Sequence, residues 1–374
     1  MLGFILLSIL IRIAVASRNV TDPLIGALLQ RNKRDGPKIE VTLYGYQNIV
    51  YYGIVGIGSP VQYFRLQFDT GSPVTWVSNV HRAKELSMVQ NTYSPSDSKT
   101  HDVKRSWYSD KYGNYVVSGY IASDLARVSS RYLIKFIQSQ IHSCAFRTDF
   151  AVVDRYAGYS KQLELTDGLF GLAAGHAKPG FESTALDDMY SQGLITRRMF
   201  SFVFRRGGFD GTVVFGEYSK NHIPGEVYYV PLVQSSIAPI SWIIRIASIT
   251  YADGTPLIKN ILTLPDTGTS RSYFPKMFVD RLFTGIWTKR TANGDIACSA
   301  MKRMPSLIVN LDGLQLPWHP TQYIEKLDSG LCQSTISVTD PSIPIDSLLG
   351  ISFLRYFTTV FDVDNARVGF AGLI

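Results

Sequence analysis

From residue 39 onward, short runs of alternating apolar and polar positions are separated by clusters of Gly, Asn, Asp, Ser and Pro. Tyr51-Tyr52-Gly53-Ile54-Val55-Gly56-Ile57, Phe64-Arg65-Leu66-Gln67-Phe68, Thr212-Val213-Val214-Phe215 and Thr359-Val360-Phe361-Asp362-Val363 are examples, enriched in β-branched and aromatic residues. A period of two puts every second side chain on one face, so these runs predict strands. Residues 360–363 and 367–370, joined around Asp364-Asn365, predict a hairpin. Helical signals are few: residues 185–192, stopped by Gly193, and residues 276–283, opened by Pro275. The expectation is an all-β protein.

Before residue 39 the pattern changes. Residues 1–11 are almost wholly apolar and Ala14-Val15-Ala16 follows as a small-residue cleavage pattern, so residues 1–16 are expected to be a secretory signal, too short to span a bilayer. Residues 17–38 are polar and basic, hold Arg31-Asn32-Lys33-Arg34, and read as a short pro-segment or a disordered tail. These first 38 residues carry six basic and two acidic side chains, more than half of the net +7. The remaining charges are scattered without a basic run, which argues against nucleic acid as a partner.

The rest of the composition narrows the chemistry. Of three cysteines, Cys298 and Cys332 lie in the same half and close a loop of moderate length, the expected disulfide, leaving Cys144 as a buried small hydrophobe. The six histidines are scattered, with no H-E-x-x-H and no Cys-x-x-Cys, so neither metal nor cofactor is expected.

An approximate internal duplication is more informative. Phe68-Asp69-Thr70-Gly71-Ser72 is followed by Gly168-Leu169-Phe170-Gly171-Leu172; Pro265-Asp266-Thr267-Gly268-Thr269-Ser270 is followed by Leu348-Leu349-Gly350-Ile351. Each half thus shows an apolar strand, D-T-G-[ST], and later two apolar residues before Gly. A repeat of this size predicts two related lobes, with the seam near Phe215-Gly216-Glu217. The N-terminal lobe is expected over residues 39–216 and the C-terminal lobe over residues 217–374.

One Asp-Thr-Gly turn is ordinary. Two copies, at positions 69 and 266 and each behind an apolar strand, call for a joint role. If the lobes pack about a pseudo-twofold axis, Asp69 and Asp266 meet at the seam. Two carboxyls that close do not both ionise easily, so the pair shares one proton over an acidic range. The ionised member can take a proton from a water attacking a carbonyl while the other hydrogen-bonds the carbonyl oxygen. The outer hydroxyls, Ser72 and Thr269, are within reach of those carboxylates.

On these residues the chain resembles the pepsin-like aspartic endopeptidases, from about residue 39 to the C-terminus. Tyr52 to Pro60 resembles the early strand and Gly-x-Pro turn. Phe68 to Val77, including Trp76, resembles the first catalytic motif, and Asp167 to Leu172 the segment backing it. Asp266 to Ser270 resembles the second catalytic loop, and Leu348 through Phe370 the terminal strands. The resemblance implies a bilobal fold with a cleft between the lobes, catalytic Asp69 and Asp266, orienting residues Thr70, Gly71, Ser72, Thr267, Gly268 and Thr269, and the Cys298–Cys332 disulfide. It also implies a hairpin flap at Tyr112-Gly113, with Tyr112 bonding towards Trp76.

The chain departs from the family pattern at several positions. Tyr115 stands where a small residue is usual, which would narrow the pocket or stiffen the flap. Arg271 follows the second motif, where a cation near the dyad would depress its pKa values. Pro265 precedes the second Asp, Ile351 replaces a common Asp, and residues 77–100 hold no Cys.

The reading is a secreted, or else lysosomal or endosomal, aspartic endopeptidase acting on polypeptide substrates, without stable membrane insertion and monomeric after processing. By resemblance, the subsites flanking the cut bond favour large apolar side chains. Two rivals stand beside it. One is a catalytically silent binding protein on the same scaffold; the other is a glycosidase with paired carboxylates, which the hydroxyl after each Asp-Thr-Gly does not support.

Overall fold

The computed structural model describes residues 38–46, 50–79, 91–128, 145–175, 178–205, 210–218, 223, 225–233, 241–284 and 297–372. The expected signal, the pro-segment apart from Lys38, and Cys144 lie outside the described residues.

Strand pairing reproduces the duplication seen in the sequence. In the first half, Val50–Ile57 pairs antiparallel with Gln62–Asp69, which lies parallel to Gly168–Gly171. Gly168–Gly171 then pairs antiparallel with Trp76–Ser78, itself parallel to Ala145–Gly158. The second half repeats the same four relations. Ile244–Tyr251 pairs antiparallel with Pro256–Pro265, which is parallel to Ser347–Leu349. Ser272–Phe274 follows antiparallel to Ser347–Leu349 and parallel to Ile336–Val338. Register carries the motif with it: Asp69 stands opposite Gly171, and Pro265 opposite Leu349, one step before the Asp266 and Gly350 level.

Both backing glycines are sterically required. A Cβ on Gly171 would lie 2.6 Å from the Val74 nitrogen, and one on Gly350 would lie 2.0 Å from the Arg271 carbonyl oxygen. The motif of two apolar residues before Gly therefore lets each Asp-Thr-Gly loop press against its neighbouring strand.

Among the described residues the strands form a thirteen-stranded sheet, a seven-stranded sheet and a two-stranded ribbon. The larger sheet holds the first-half strands together with the end of the chain, because Phe357–Asp362 pairs antiparallel with Met199–Phe204. The expected C-terminal hairpin is present as Phe357–Asp362 and Arg367–Gly372. The two expected helices are Ala185–Ser191, started by a Thr184/Asp187 capping box, and Lys276–Phe283. The fold is mostly β and bilobal.

Alternation explains most strands. Ile39–Tyr46 buries every second residue over its first five positions. Gln62–Asp69 loses the alternation in its last four residues, all buried, because it enters the interior beside a parallel neighbour. Aromatic rings fill the core, and the Phe200–Phe361 pair links the two halves. Phe68 stacks on Phe170 at 4.9 Å, Phe200 on Phe361 at 5.0 Å, and Trp242 meets Phe361 at 5.0 Å. The fully buried Trp242 donates from Nε1 to the Leu172 carbonyl, 2.8 Å away. Such rings contribute roughly 1.5–3 kcal/mol each by burial.

Cys298 and Cys332 are disulfide-bonded with Cα atoms 5.0 Å apart, 34 residues apart in sequence. In the chain-entropy treatment a loop of that length is worth about 4 kcal/mol. The double variant Cys298→Ala/Cys332→Ala is expected to lose about that much in denaturant unfolding, with unchanged stability the contrary result.

Candidate active site

The two Asp-Thr-Gly loops meet and interlock. Thr70 N–H donates to Thr267 Oγ1 at 3.0 Å, and Thr267 N–H donates to Thr70 Oγ1 at 3.0 Å. Each hydroxyl also donates to the strand behind the other loop: Thr70 Oγ1 to the Pro265 carbonyl at 2.8 Å, Thr267 Oγ1 to the Phe68 carbonyl at 2.7 Å. Both threonines are buried, so these bonds replace water rather than compete with it. Thr70→Val keeps the shape but strands the Pro265 carbonyl and the Thr267 N–H. We expect a loss of about 2–5 kcal/mol in denaturant unfolding, and a loss under about 0.5 kcal/mol would show that the interlock does not hold the loops.

The interlock sets the carboxyls side by side. Asp69 Oδ1 accepts from Gly71 N–H at 2.7 Å, and its Oδ2 from Ser72 Oγ at 2.6 Å. Asp266 repeats this with Gly268 N–H at 2.8 Å and Thr269 Oγ1 at 2.5 Å. Each carboxyl also lies against the other loop's glycine: a Cβ on Gly71 would fall 2.8 Å from Asp266 Oδ1, and one on Gly268 2.2 Å from Asp69 Oδ1. The two aspartates are 5% and 7% exposed, leaving little water to separate their charges.

Burial pushes the Asp69 carboxyl well above the usual carboxylate range, and the neighbouring Asp266 charge pushes it further. Hydrogen bonds from Ser72 and Gly71 pull the other way without cancelling this. The depression expected from Arg271 does not appear at Asp69. The Arg271 guanidinium donates to the Ser334 carbonyl at 2.8 Å and to Gln333 Oε1, and Asp69 is raised, not lowered. Pro265 supplies a carbonyl to the interlock, and Ile351 is buried in the short helix Ile351–Leu354, its N–H donating to the Thr269 carbonyl at 2.8 Å.

Asp102–Tyr112 and Tyr115–Val128 pair as a hairpin where the flap is expected, turning at Gly113-Asn114, with Gly113 at φ +51°. Tyr112 lies over Trp76 with ring centroids 6.2 Å apart. The expected bond to Trp76 is absent. The Tyr112 hydroxyl shares a 2.8 Å hydrogen bond with the Tyr108 hydroxyl, and the buried Trp76 Nε1 has no partner among the described residues. Tyr108 intercepts Tyr112 because residues four apart on a strand share a face. Burial above all, then the Tyr108 hydroxyl and the Asp110 carboxylate, and least the Asp69 charge, raise the Tyr112 phenol.

Several supporting residues were not singled out from the sequence. Gln67 Nε2 and Gln162 Nε2 both donate to the Gly268 carbonyl, at 2.9 and 2.8 Å. Gln67 was findable: it sits two residues before Asp69, on the same face of a strand whose neighbours are apolar. Gln162, 106 residues from its acceptor, has no local signal. Asp167 accepts from Arg65 Nη2 at 3.0 Å and from Asn91 Nδ2 at 2.8 Å, tying down the strand that leads to Asp69.

Among the described residues no group of three or more His, Cys, Asp or Glu could hold a metal ion, and no helix is long and apolar enough to cross a membrane.

Comparison with known proteins gives the family. Residues 50–373 match the model of the eukaryotic aspartyl protease family. Gastricsin of Mus musculus is 29% identical over 338 residues, covering 87% of this chain and 81% of its own. Pepsin A of Bos taurus is 27% identical over 342 residues, covering 89% and 86%. An aspartic proteinase from Irpex lacteus shares the fold with a TM-score of 0.73 at 21% identity, covering 90% of this chain and 97% of that one. With the duplicated strand pairing and the paired aspartyl loops, these matches identify the chain as a member of the eukaryotic aspartyl protease family, a family of peptide hydrolases.

Proposed function

We propose that the chain hydrolyses polypeptides at a dyad of Asp69 and Asp266, between an N-terminal lobe of residues 39–216 and a C-terminal lobe of residues 217–374. The carrying observation is the pair of buried carboxyls, each fixed by its own Gly N–H and hydroxyl and each lying on the other loop's glycine.

The raised Asp69 means that one proton stays on the pair in weakly acidic water. The ionised carboxylate takes a proton from a water as its oxygen attacks the peptide carbonyl carbon. The protonated carboxyl gives its proton to the carbonyl oxygen, and a tetrahedral diol results. As the diol collapses and the C–N bond breaks, the leaving nitrogen takes the proton from one carboxyl, a diol hydroxyl returns its proton to the other carboxylate as the carbonyl re-forms, and the pair is again singly protonated. Ser72 and Thr269 keep the outer oxygens oriented throughout. The substrate lies extended under the flap, and flap closure excludes water. A secreted or endolysosomal setting supplies the acidity, and the processed protein acts as a monomer.

Denatured haemoglobin or casein, incubated between about pH 3 and pH 6.5 with and without pepstatin, tests the reading. Pepstatin-sensitive fragments are expected. Intact substrate throughout would favour the silent binding protein, against which the complete hydrogen-bond sets of both carboxyls already argue.

A further inference from the structure

We infer that Tyr115 sets substrate specificity: its ring fills the side-chain space beside Asp69 and limits one of the two residues flanking the cut bond to a small side chain. The inference rests on the endopeptidase reading above.

Tyr115 follows the exposed Gly113 and Asn114 at the flap turn, yet it is only 5% exposed. A ring at a hairpin tip is buried to that degree only by packing against the body of the molecule. It stacks on Tyr112 with centroids 5.6 Å apart at 20°. It also belongs to one buried cluster with Val74, Trp76, Leu163 and Leu169. Val74 and Trp76 come from the segment immediately after the first Asp-Thr-Gly loop, so the cluster lies on the Asp69 side of the dyad. The Asp69 charge reaches the Tyr115 hydroxyl and, after burial, is the next cause raising it.

The block is also fixed. Tyr112 is held by the Tyr108 hydroxyl at 2.8 Å, and Tyr108 packs edge-on against Phe181 at 5.8 Å. A leucine or phenylalanine side chain arriving beside Asp69 would need the volume that Tyr115 occupies, whereas alanine or serine would not. One methylene in a hydrophobic pocket changes selectivity by about 10–200-fold, so a whole aromatic ring is a strong filter.

The test is a peptide library randomised on both sides of the cut bond. Beside it, binding is measured for hydroxyethylene peptide inhibitors carrying methyl or isobutyl groups on each side of the hydroxyl. The wild type is expected to prefer Ala or Ser over Leu or Phe at one flanking position by at least about tenfold in kcat/KM, and to bind the methyl inhibitor more tightly at that side. Tyr115→Ala should erase or reverse both preferences, and Tyr115→Phe, which keeps the ring, should retain them. Large side chains preferred on both sides by the wild type, or the same profile in Tyr115→Ala, would overturn the role of Tyr115 while leaving the endopeptidase reading intact. A wild type that cleaves no peptide and binds no inhibitor would end both. The wild-type profile is decisive even if Tyr115→Ala does not fold.

Discussion

Asp69→Asn and Asp266→Asn, made singly, are each expected to lower peptide hydrolysis by about 10³–10⁴-fold, with the folded structure kept. An amide can neither take the proton of the attacking water nor carry the shared proton, so either change removes a step that the other carboxyl does not supply. The double variant should lose little more than either single one, because the two groups act as a unit.

Stability should move the opposite way at Asp69. The folded protein binds the Asp69 proton more tightly than the unfolded chain does, because burial and the Asp266 charge raise its pKa. Its contribution is therefore fully present below the ordinary carboxylate pKa and is lost as pH rises through the folded value. Asp69→Asn removes that loss, so its Tm should exceed the wild-type Tm near neutral pH and converge with it in acid. A lower Tm at neutral pH would mean that the ionised carboxylate is stabilised where it sits, contrary to its setting.

Gly268→Ala is the second large effect. The added Cβ would lie 2.2 Å from Asp69 Oδ1 and 2.3 Å from its Cγ, well inside contact distance. Asp69 cannot retreat without giving up Gly71 N–H or Ser72 Oγ. The loop behind Gly268 is held by Gln67 and Gln162 on its carbonyl. The carboxyl must shift, and a displacement of about 1 Å in a catalytic group costs on the order of 100-fold. Gly71→Ala meets Asp266 Oδ1 at the looser distance of 2.8 Å and should cost less. Peptide cleavage and circular dichroism on both variants check this ranking. Gly268→Ala with wild-type kcat would show that the carboxyl is free to move and that the loops do not set its position.

Much of this site was legible in the chain because its parts are local. Asp-Thr-Gly with a following hydroxyl is a self-contained turn, whose Gly N–H and hydroxyl return to the same carboxylate within three residues. Hairpins and short helices were also read locally, the C-terminal hairpin and Ala185–Ser191 among them. Partners set by distant packing were not legible. Nothing near residues 357–362 says that they pair with residues 199–204, and nothing near Gln162 says that it supports Gly268. The Tyr112 bond was misassigned because choosing between Trp76 and Tyr108 needs the hairpin's placement, although the shared strand face of Tyr108 was there to see. Arg271 was read as a neighbour of the dyad from adjacency in sequence, whereas its long side chain reaches Gln333 and Ser334.

The most direct test is kcat/KM against pH for a synthetic peptide, from about pH 2 to about pH 8, in the processed wild type. Two carboxyls sharing one proton predict a bell: activity rises as the first ionises, then falls as the second does, with the falling limb above the ordinary carboxylate range because Asp69 is raised. A rate that climbs steadily into neutral pH, or a bell that survives in the Asp69→Asn/Asp266→Asn double variant, would contradict it.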